Sequence, residues 1–156
     1  MNVPVARTSL NTLTLTQVKI YFRQYPGPEH GSLGAIANAP YVLRAGSTSV
    51  SGNTDGSGAV VVNLPTGDPV QLEILGTTYE LTRLAALEAI DTLSGAQRRL
   101  NMLGYRAGSV DGLLGVKTDT SLLEYQGDHG LTITGLESGG AVPQPTRDSL
   151  SYVVGH

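Results

Sequence analysis

The sequence predicts an α+β chain of two domains: a small antiparallel β-sandwich over residues 1–82, a linker over 83–91, and a three-helix domain over 92–156. Three observations carry that expectation. Between Leu13 and about Tyr79, short apolar runs rich in β-branched residues and tyrosine recur between turn clusters, the pattern of successive short strands. After Thr82 the apolar spacing lengthens, with Ala96, Leu100 and Leu103 at the i, i+4 and i+7 positions of one helix face. With 156 residues, 40% hydrophobic and 15% charged, the chain is long enough for two small cores and too apolar for disorder.

In the first half, Val18 to Arg23 reads as a strand, and the Tyr25–Gly31 segment cannot continue it because its prolines lack ladder donors. Ala39–Arg44 and Ser47–Val50 follow as strands, and then Gly52–Gly58, in which Asp55-Gly56 signals the positive φ of a tight hairpin turn. Ala59–Leu64 is the next strand. Pro65–Pro69 turns the chain, Val70–Leu75 alternates apolar and polar residues, and Thr77–Thr82 is placed to pair back onto it.

Leu84–Ile90 is a helix-permissive bridge. Ser94 stands as N-cap to a helix that Gly104 stops, a second helix spans Lys117 to about His129 before Gly130, and a third begins near Pro145 with Leu150, Val153 and Val154 on it. Neither half is basic, with five basic and six acidic residues before Ile90 and five and seven after it. No repeat period of about 20 to 50 residues is evident.

The ordered blocks of the second half carry a resemblance. Ala96-Gln97-Arg98-Arg99-Leu100-Asn101-Met102-Leu103-Gly104-Tyr105 is followed by Gly108-Ser109-Val110-Asp111-Gly112-Leu113-Leu114-Gly115-Val116-Lys117-Thr118, then Tyr125-Gln126-Gly127-Asp128-His129-Gly130-Leu131, and finally Thr134-Gly135 with Thr146 and Leu150. From about Leu93 to Leu150 the chain resembles the peptidoglycan-binding domain type 1, a small three-helix module attached to many cell-wall hydrolases. It departs from that pattern at Val116, where a proline is usual, at Gly127 within the last turn of the second helix, and at Ser138–Gln144, which looks like an insertion. The resemblance implies peptidoglycan as partner, with ligand contacts from Gln97, Tyr105, Asp111, Gly112, Gly115, Thr118 and Gln126.

Read for themselves, several of these residues have a structural role open to them as well. Asp111-Gly112 forms a turn whose carboxylate accepts backbone bonds, Gly115 permits close approach, and Thr118 caps the following helix. Tyr105 and Gln126 suit a groove, through an apolar ring with a hydroxyl and an amide that both donates and accepts; they suit core packing and helix-end bonding equally. Gln97, on the first helix, has both roles open.

The first half resembles, more faintly, small sandwiches of the prealbumin-like or carboxypeptidase-regulatory type, through Ala39-Pro40-Tyr41-Val42-Leu43, Thr54-Asp55-Gly56-Ser57-Gly58 and Val60-Val61-Val62. The combined order is similar to accessory proteins of phage tails and contractile injection systems, type VI secretion included. That likeness implies proteins of such an apparatus as partners.

Catalysis is not expected. The chain has no cysteine, its three histidines (His30, His129 and His156) are isolated, and neither a Gly-x-Ser-x-Gly elbow nor a Ser-x-x-Lys motif occurs. Glu73, Glu80 and Glu88 are carboxylates that nothing in the sequence places in a cleft. No cofactor or metal is expected. A net charge of −3 argues against a basic grip on nucleic acid or an anionic membrane, and no run approaches the roughly 18 apolar residues of a membrane span. The start of the chain lacks the basic and apolar pattern of a signal peptide, so the expectation is synthesis in the cytoplasm and delivery to the envelope in a particle or by another non-classical route. The expected function is non-catalytic wall binding. The alternatives are a purely structural component of an injection or tail machine and, more remotely, a small cell-wall hydrolase.

Overall fold

Alternation decides which residues the strands bury. A computed structural model of the chain describes residues 15–26, 34–65, 67, 69–82 and 86–154. Its strands are β1 (Leu15–Tyr21), β2 (Pro40–Ala45), β3 (Thr48–Asn53), β4 (Ala59–Pro65), β5 (Val70–Ile74) and β6 (Thr77–Leu81). In β5, Val70, Leu72 and Ile74 are buried while Gln71 and Glu73 face solvent; in β4, Val60, Val62 and Leu64 are buried and Val61 is exposed. Period two puts alternate side chains on one face, so each strand contributes one apolar row.

These rows meet in one core. β1 and β4 form a two-stranded antiparallel sheet, and β3-β2-β5-β6 a four-stranded one. Buried Val60, Val62 and Leu64 from the first join Tyr41, Leu43, Ala45, Val70, Leu72 and Ile74 from the second, with Val18, Ile20 and Phe22 packed against them. Full burial of each such side chain stabilises by about 1.5–3 kcal/mol.

Two turns differ from the sequence expectation. Asp55-Gly56 does not close a hairpin: β3 and β4 belong to different sheets, and the turn carries the chain from one to the other. The cause lies in what its side chains hold. Thr54 Oγ1 donates to the Ile36 carbonyl at 2.6 Å and accepts from Ala39 N at 2.9 Å, tying the turn to the segment ahead of β2. The Asp55 carboxylate accepts from Ser57 Oγ at 2.7 Å, Ser57 N at 2.8 Å and Ala59 N at 2.9 Å, which curls the chain and lowers the Asp55 pKa. Gly58 then sits at φ 77°, where a Cβ would lie 2.4 Å from the Phe22 carbonyl oxygen, so only glycine fits.

The β5–β6 connection is tighter than the expected Val70–Leu75 strand allows. Ile74 pairs with Thr77, leaving Leu75-Gly76 as a two-residue turn with φ 53° and 74°, both positive as the favoured hairpin turn demands. An exposed leucine in the left-handed region costs about 1–2 kcal/mol. Leu75→Asn is therefore expected to raise stability by about 1 kcal/mol, read as a higher urea midpoint; an unchanged or lower midpoint would contradict this account of the turn. β1 also begins and ends earlier than expected. Phe22 N still donates to Gly58 O, one step past the last paired residues Tyr21 and Ala59, and Arg23 makes an isolated bridge with Ala35, so the chain leaves the β1–β4 ladder at Arg23.

The C-terminal part holds α1 (Leu93–Met102), α2 (Val116–Asp128) and α3 (Gln144–Val154). Thr92, not Ser94, caps α1: its backbone is extended and its Oγ1 accepts from Gly95 N at 3.1 Å, whereas Ser94 already lies inside the first turn. α1 closes as expected, with Gly104 at φ 91° and Tyr105 N donating to Leu100 O at 2.9 Å. Thr118 does not cap α2, because that helix starts at Val116 with Gly115 at the cap, and Thr118 lies buried within its first turn. Ala96, Leu100, Tyr105, Leu122, Tyr125, Val142 and Leu150 make the second core, with Ile90, Leu93, Leu131 and Leu136 at its margin.

Residues 86–92 are turns and bends rather than a helix. They pack on α1. Arg98 grips the Glu88 carboxylate at 2.8 and 3.1 Å, and buried Arg99 donates to the Glu88 carbonyl at 2.8 Å and to Gly95 O at 3.1 Å. The Arg98 bonds first, then a bond to its own backbone, bring the Glu88 pKa down to about 2 from 4.5. A carboxyl held lower in the folded chain than in the unfolded one stabilises fully above about pH 4.5, and that contribution is lost as pH falls toward 2. The stability difference between wild type and Glu88→Gln should therefore shrink over that window. A difference that stays constant from pH 6 to about 2.5 would refute the assignment.

Expectations that fall on Met1–Thr14, on Gly27–Leu33 with His30, on Thr66, Asp68, Arg83–Ala85 and on Gly155–His156 lie outside the described residues.

Candidate functional site

The loop between α1 and α2, residues 106–115, is organised from below by one amide. Gln97 projects from α1 and is 1% exposed. Its Oε1 accepts from Gly112 N at 2.9 Å and Asp111 N at 3.2 Å, while its Nε2 donates to Thr118 Oγ1 at 3.0 Å, Leu113 O at 3.0 Å and Asp111 Oδ1 at 3.2 Å. Asp111 Oδ1 also accepts from Leu113 N at 2.9 Å; that bond, then the one from Gln97, holds the Asp111 carboxyl below its usual range. Thr118 Oγ1 donates in turn to Ala107 O at 3.0 Å. The loop is pinned at 107, 111, 112, 113 and 118 with no metal and no disulfide required.

The same device recurs one helix later. Gln126 of α2, 0% exposed, accepts from Gly135 N at 2.9 Å and Thr134 N at 3.0 Å and donates to Thr146 Oγ1 of α3 at 3.1 Å. In each case a buried glutamine holds two successive amides whose second residue is a glycine at positive φ, 70° at Gly112 and 66° at Gly135, and reaches a buried threonine on the next helix. The sequence carries this only as Gln97 to Thr118 and Gln126 to Thr146, 21 and 20 positions apart, with the held glycine 15 positions after the first glutamine and 9 after the second.

Tyr105, 1% exposed, packs its ring edge-on to Tyr125 with centroids 5.5 Å apart, and its hydroxyl donates to Asp128 at 2.8 Å. Ser121 Oγ donates to the Tyr105 carbonyl. Gln97, Tyr105, Thr118 and Gln126 are therefore at most 3% exposed, whereas Asp111, Gly112 and Gly115 are exposed and lie together on the loop.

What the loop does present is apolar. Leu113, Leu114 and Val116 are 68, 61 and 84% exposed, beside a shallow cleft of about 260 Å³ that also takes in Ser109, Asp111 and Lys117. Internal bonds fix the backbone beneath them, so the three side chains stand on a rigid base rather than on a loop that must be ordered on binding. Their signal in the sequence was two leucines between glycines in a loop followed by valine where proline is usual, an apolar run with no core position to fill. Among the described residues no three His, Cys, Asp or Glu side chains come together as a metal site would require.

Two short helices joined by a glycine-rich loop pinned on a buried amide, with a third helix completing the core, make up the C-terminal part. Residues 92–136, from the cap of α1 through α2 and into the second pinned loop, match the family described as "Putative peptidoglycan binding domain". No curated protein and no solved structure matched the chain.

Proposed function

We propose that this chain is a non-catalytic cell-wall accessory protein whose helical part binds peptidoglycan through the exposed face of residues 109–117. The observation that carries the reading is that the family match over residues 92–136 falls on the pinned loop presenting Leu113, Leu114 and Val116. A sugar ring or stem-peptide side chain would lie on these apolar groups, with Ser109, Asp111 and Lys117 in reach for polar contacts. In the same reading the two sheets form a β-sandwich that attaches the chain to a larger assembly of tail or injection type, and the protein reaches the wall as part of that particle.

Sedimentation of the full chain with purified sacculi tests the binding. Retention is expected, and the paired change Leu113→Ser with Leu114→Ser should weaken it about tenfold while leaving the folded stability within about 0.5 kcal/mol, since both side chains are exposed. Retention unaffected by that pair would remove the loop face from the reading. The same apolar face also suits a protein contact, the second reading. Stable co-purification with assembly proteins, lost on Leu113→Ser with Leu114→Ser, together with no retention by sacculi, would establish it in place of the first.

A further inference from the structure

A cleft of about 790 Å³ lies between the end of β1 with residues 23–26 and the end of α1 with the start of α2. At Gly104 an added Cβ would lie 3.8 Å from Pro26 Cβ, so the two walls come close there. Four cationic side chains line this cleft, Lys19, Arg23, Arg106 and Lys117, against one carboxylate, Glu124. That concentration is out of keeping with a chain that carries 10 basic and 13 acidic residues. None of Lys19, Arg106 and Lys117 forms an ion pair with a described residue. Lys19 instead holds its ammonium 4.9 Å from the centre of the Tyr21 ring, with the Asp55 carboxylate attracting it from farther off.

A concave wall of one charge sign focuses the field and raises the local concentration of counter-charge. Val116 and Lys117 line both this cleft and the loop cleft, so the two form one continuous surface running from apolar to cationic.

We propose that this cleft is a second binding site, taking the anionic groups, carboxylate or phosphate, of an extended polymer whose neutral portion lies on Leu113, Leu114 and Val116. The wall as source of that polymer rests on the function proposed above; the preference of the cleft for anions does not. Two juxtaposed sites on one strand also raise the effective concentration of each for the other, so modest contacts at both give useful retention.

The test uses the full chain and the paired change Lys19→Glu with Arg106→Glu, both exposed side chains that do not line the loop cleft. Sacculi bearing wall phosphate polymer and the same sacculi stripped of it form the two arms, each read from about 50 to 300 mM salt. The proposal expects wild-type retention to fall with salt, and the paired variant to bind about tenfold more weakly at low salt with that salt dependence gone. Loss in both arms identifies carboxylates; loss only with the polymer present identifies phosphate. Leu113→Ser with Leu114→Ser should instead lower affinity without changing the salt slope, which separates the two sites. Equal binding by wild type and the charge variant in both arms overturns the proposal. If wild type is retained in neither arm the wall reading fails, and soluble polyphosphate decides the cleft alone: binding lost on Lys19→Glu with Arg106→Glu upholds it, and absence of binding overturns it.

Discussion

Gly95→Ala is expected to unfold the helical part of the chain while leaving the sheets intact. Gly95 is in the first turn of α1, and its bare Cα faces the bends that lead into the helix. A Cβ there would sit 2.0 Å from the Ala89 carbonyl oxygen and 2.7 Å from its carbon, with the Glu88 oxygen at 2.9 Å. These are backbone atoms and cannot rotate aside. Separating the two segments would also strain the Arg99 bonds to Glu88 O and Gly95 O and the Thr92 bond to Ala89 O at 2.6 Å. Alanine's higher helix propensity returns only about 1 kcal/mol. A net loss of about 3–5 kcal/mol is expected. Urea unfolding followed by far-UV circular dichroism should show the helical transition shifted or gone and the sheet transition unmoved. A variant as stable as wild type would mean that residues 88–89 do not pack against α1 as described.

Gln97→Leu carries the second large effect. Leucine matches the volume of glutamine but removes the amide that serves two N–H groups, the Leu113 carbonyl and Thr118 Oγ1. A buried polar group left without a partner costs about 1–3 kcal/mol, and the loop can swing only some of these groups into water, so a loss of about 3–4 kcal/mol is expected. Gln97→Glu separates geometry from charge. It keeps an acceptor for Asp111 N and Gly112 N but turns the donor into an acceptor facing Asp111 Oδ1 and Leu113 O. This variant should be hurt more at neutral pH, where the new carboxylate is charged, than near pH 4, where it takes up a proton. Stability of Gln97→Glu that does not depend on pH, or Gln97→Leu within 1 kcal/mol of wild type, would show that the amide does not organise the loop.

Both residues show how far the sequence reaches. Gln97 is legible as a residue of interest, with ligand contact and helix position both open; in the fold its amide lies beneath the surface and holds the Asp111 and Gly112 amides. The exposure of Leu113, Leu114 and Val116 is not legible in the sequence, because a loop apolar run has no periodicity to mark which side chains turn inward. Gly95 was legible only as a small residue in a helix. The backbone that requires it approaches from residues 88–89, a segment the sequence read as helix-permissive.

The sequence by itself determined the order of strands and then helices, the faces that Val70, Leu72 and Ile74 or Ala96 and Leu100 bury, and the glycine stops at Gly104 and Gly130. These follow from period-two and period-3.6 patterns and from backbone conformations that each residue carries with it. The tertiary structure alone decided that Asp55 moves the chain between sheets, that Thr92 caps α1, and that two glutamines hold the loops. Thr92 finds its partner Gly95 only three residues on, but the other outcomes depend on hydrogen-bond partners brought close by folding: Ile36 and Ala39 to Thr54, Asp111 and Gly112 to Gln97, Gly135 and Thr146 to Gln126. A side chain's preference is local, but whether it meets solvent or a partner is settled by residues far along the chain, 21 positions for Thr118 from Gln97 and 20 for Thr146 from Gln126.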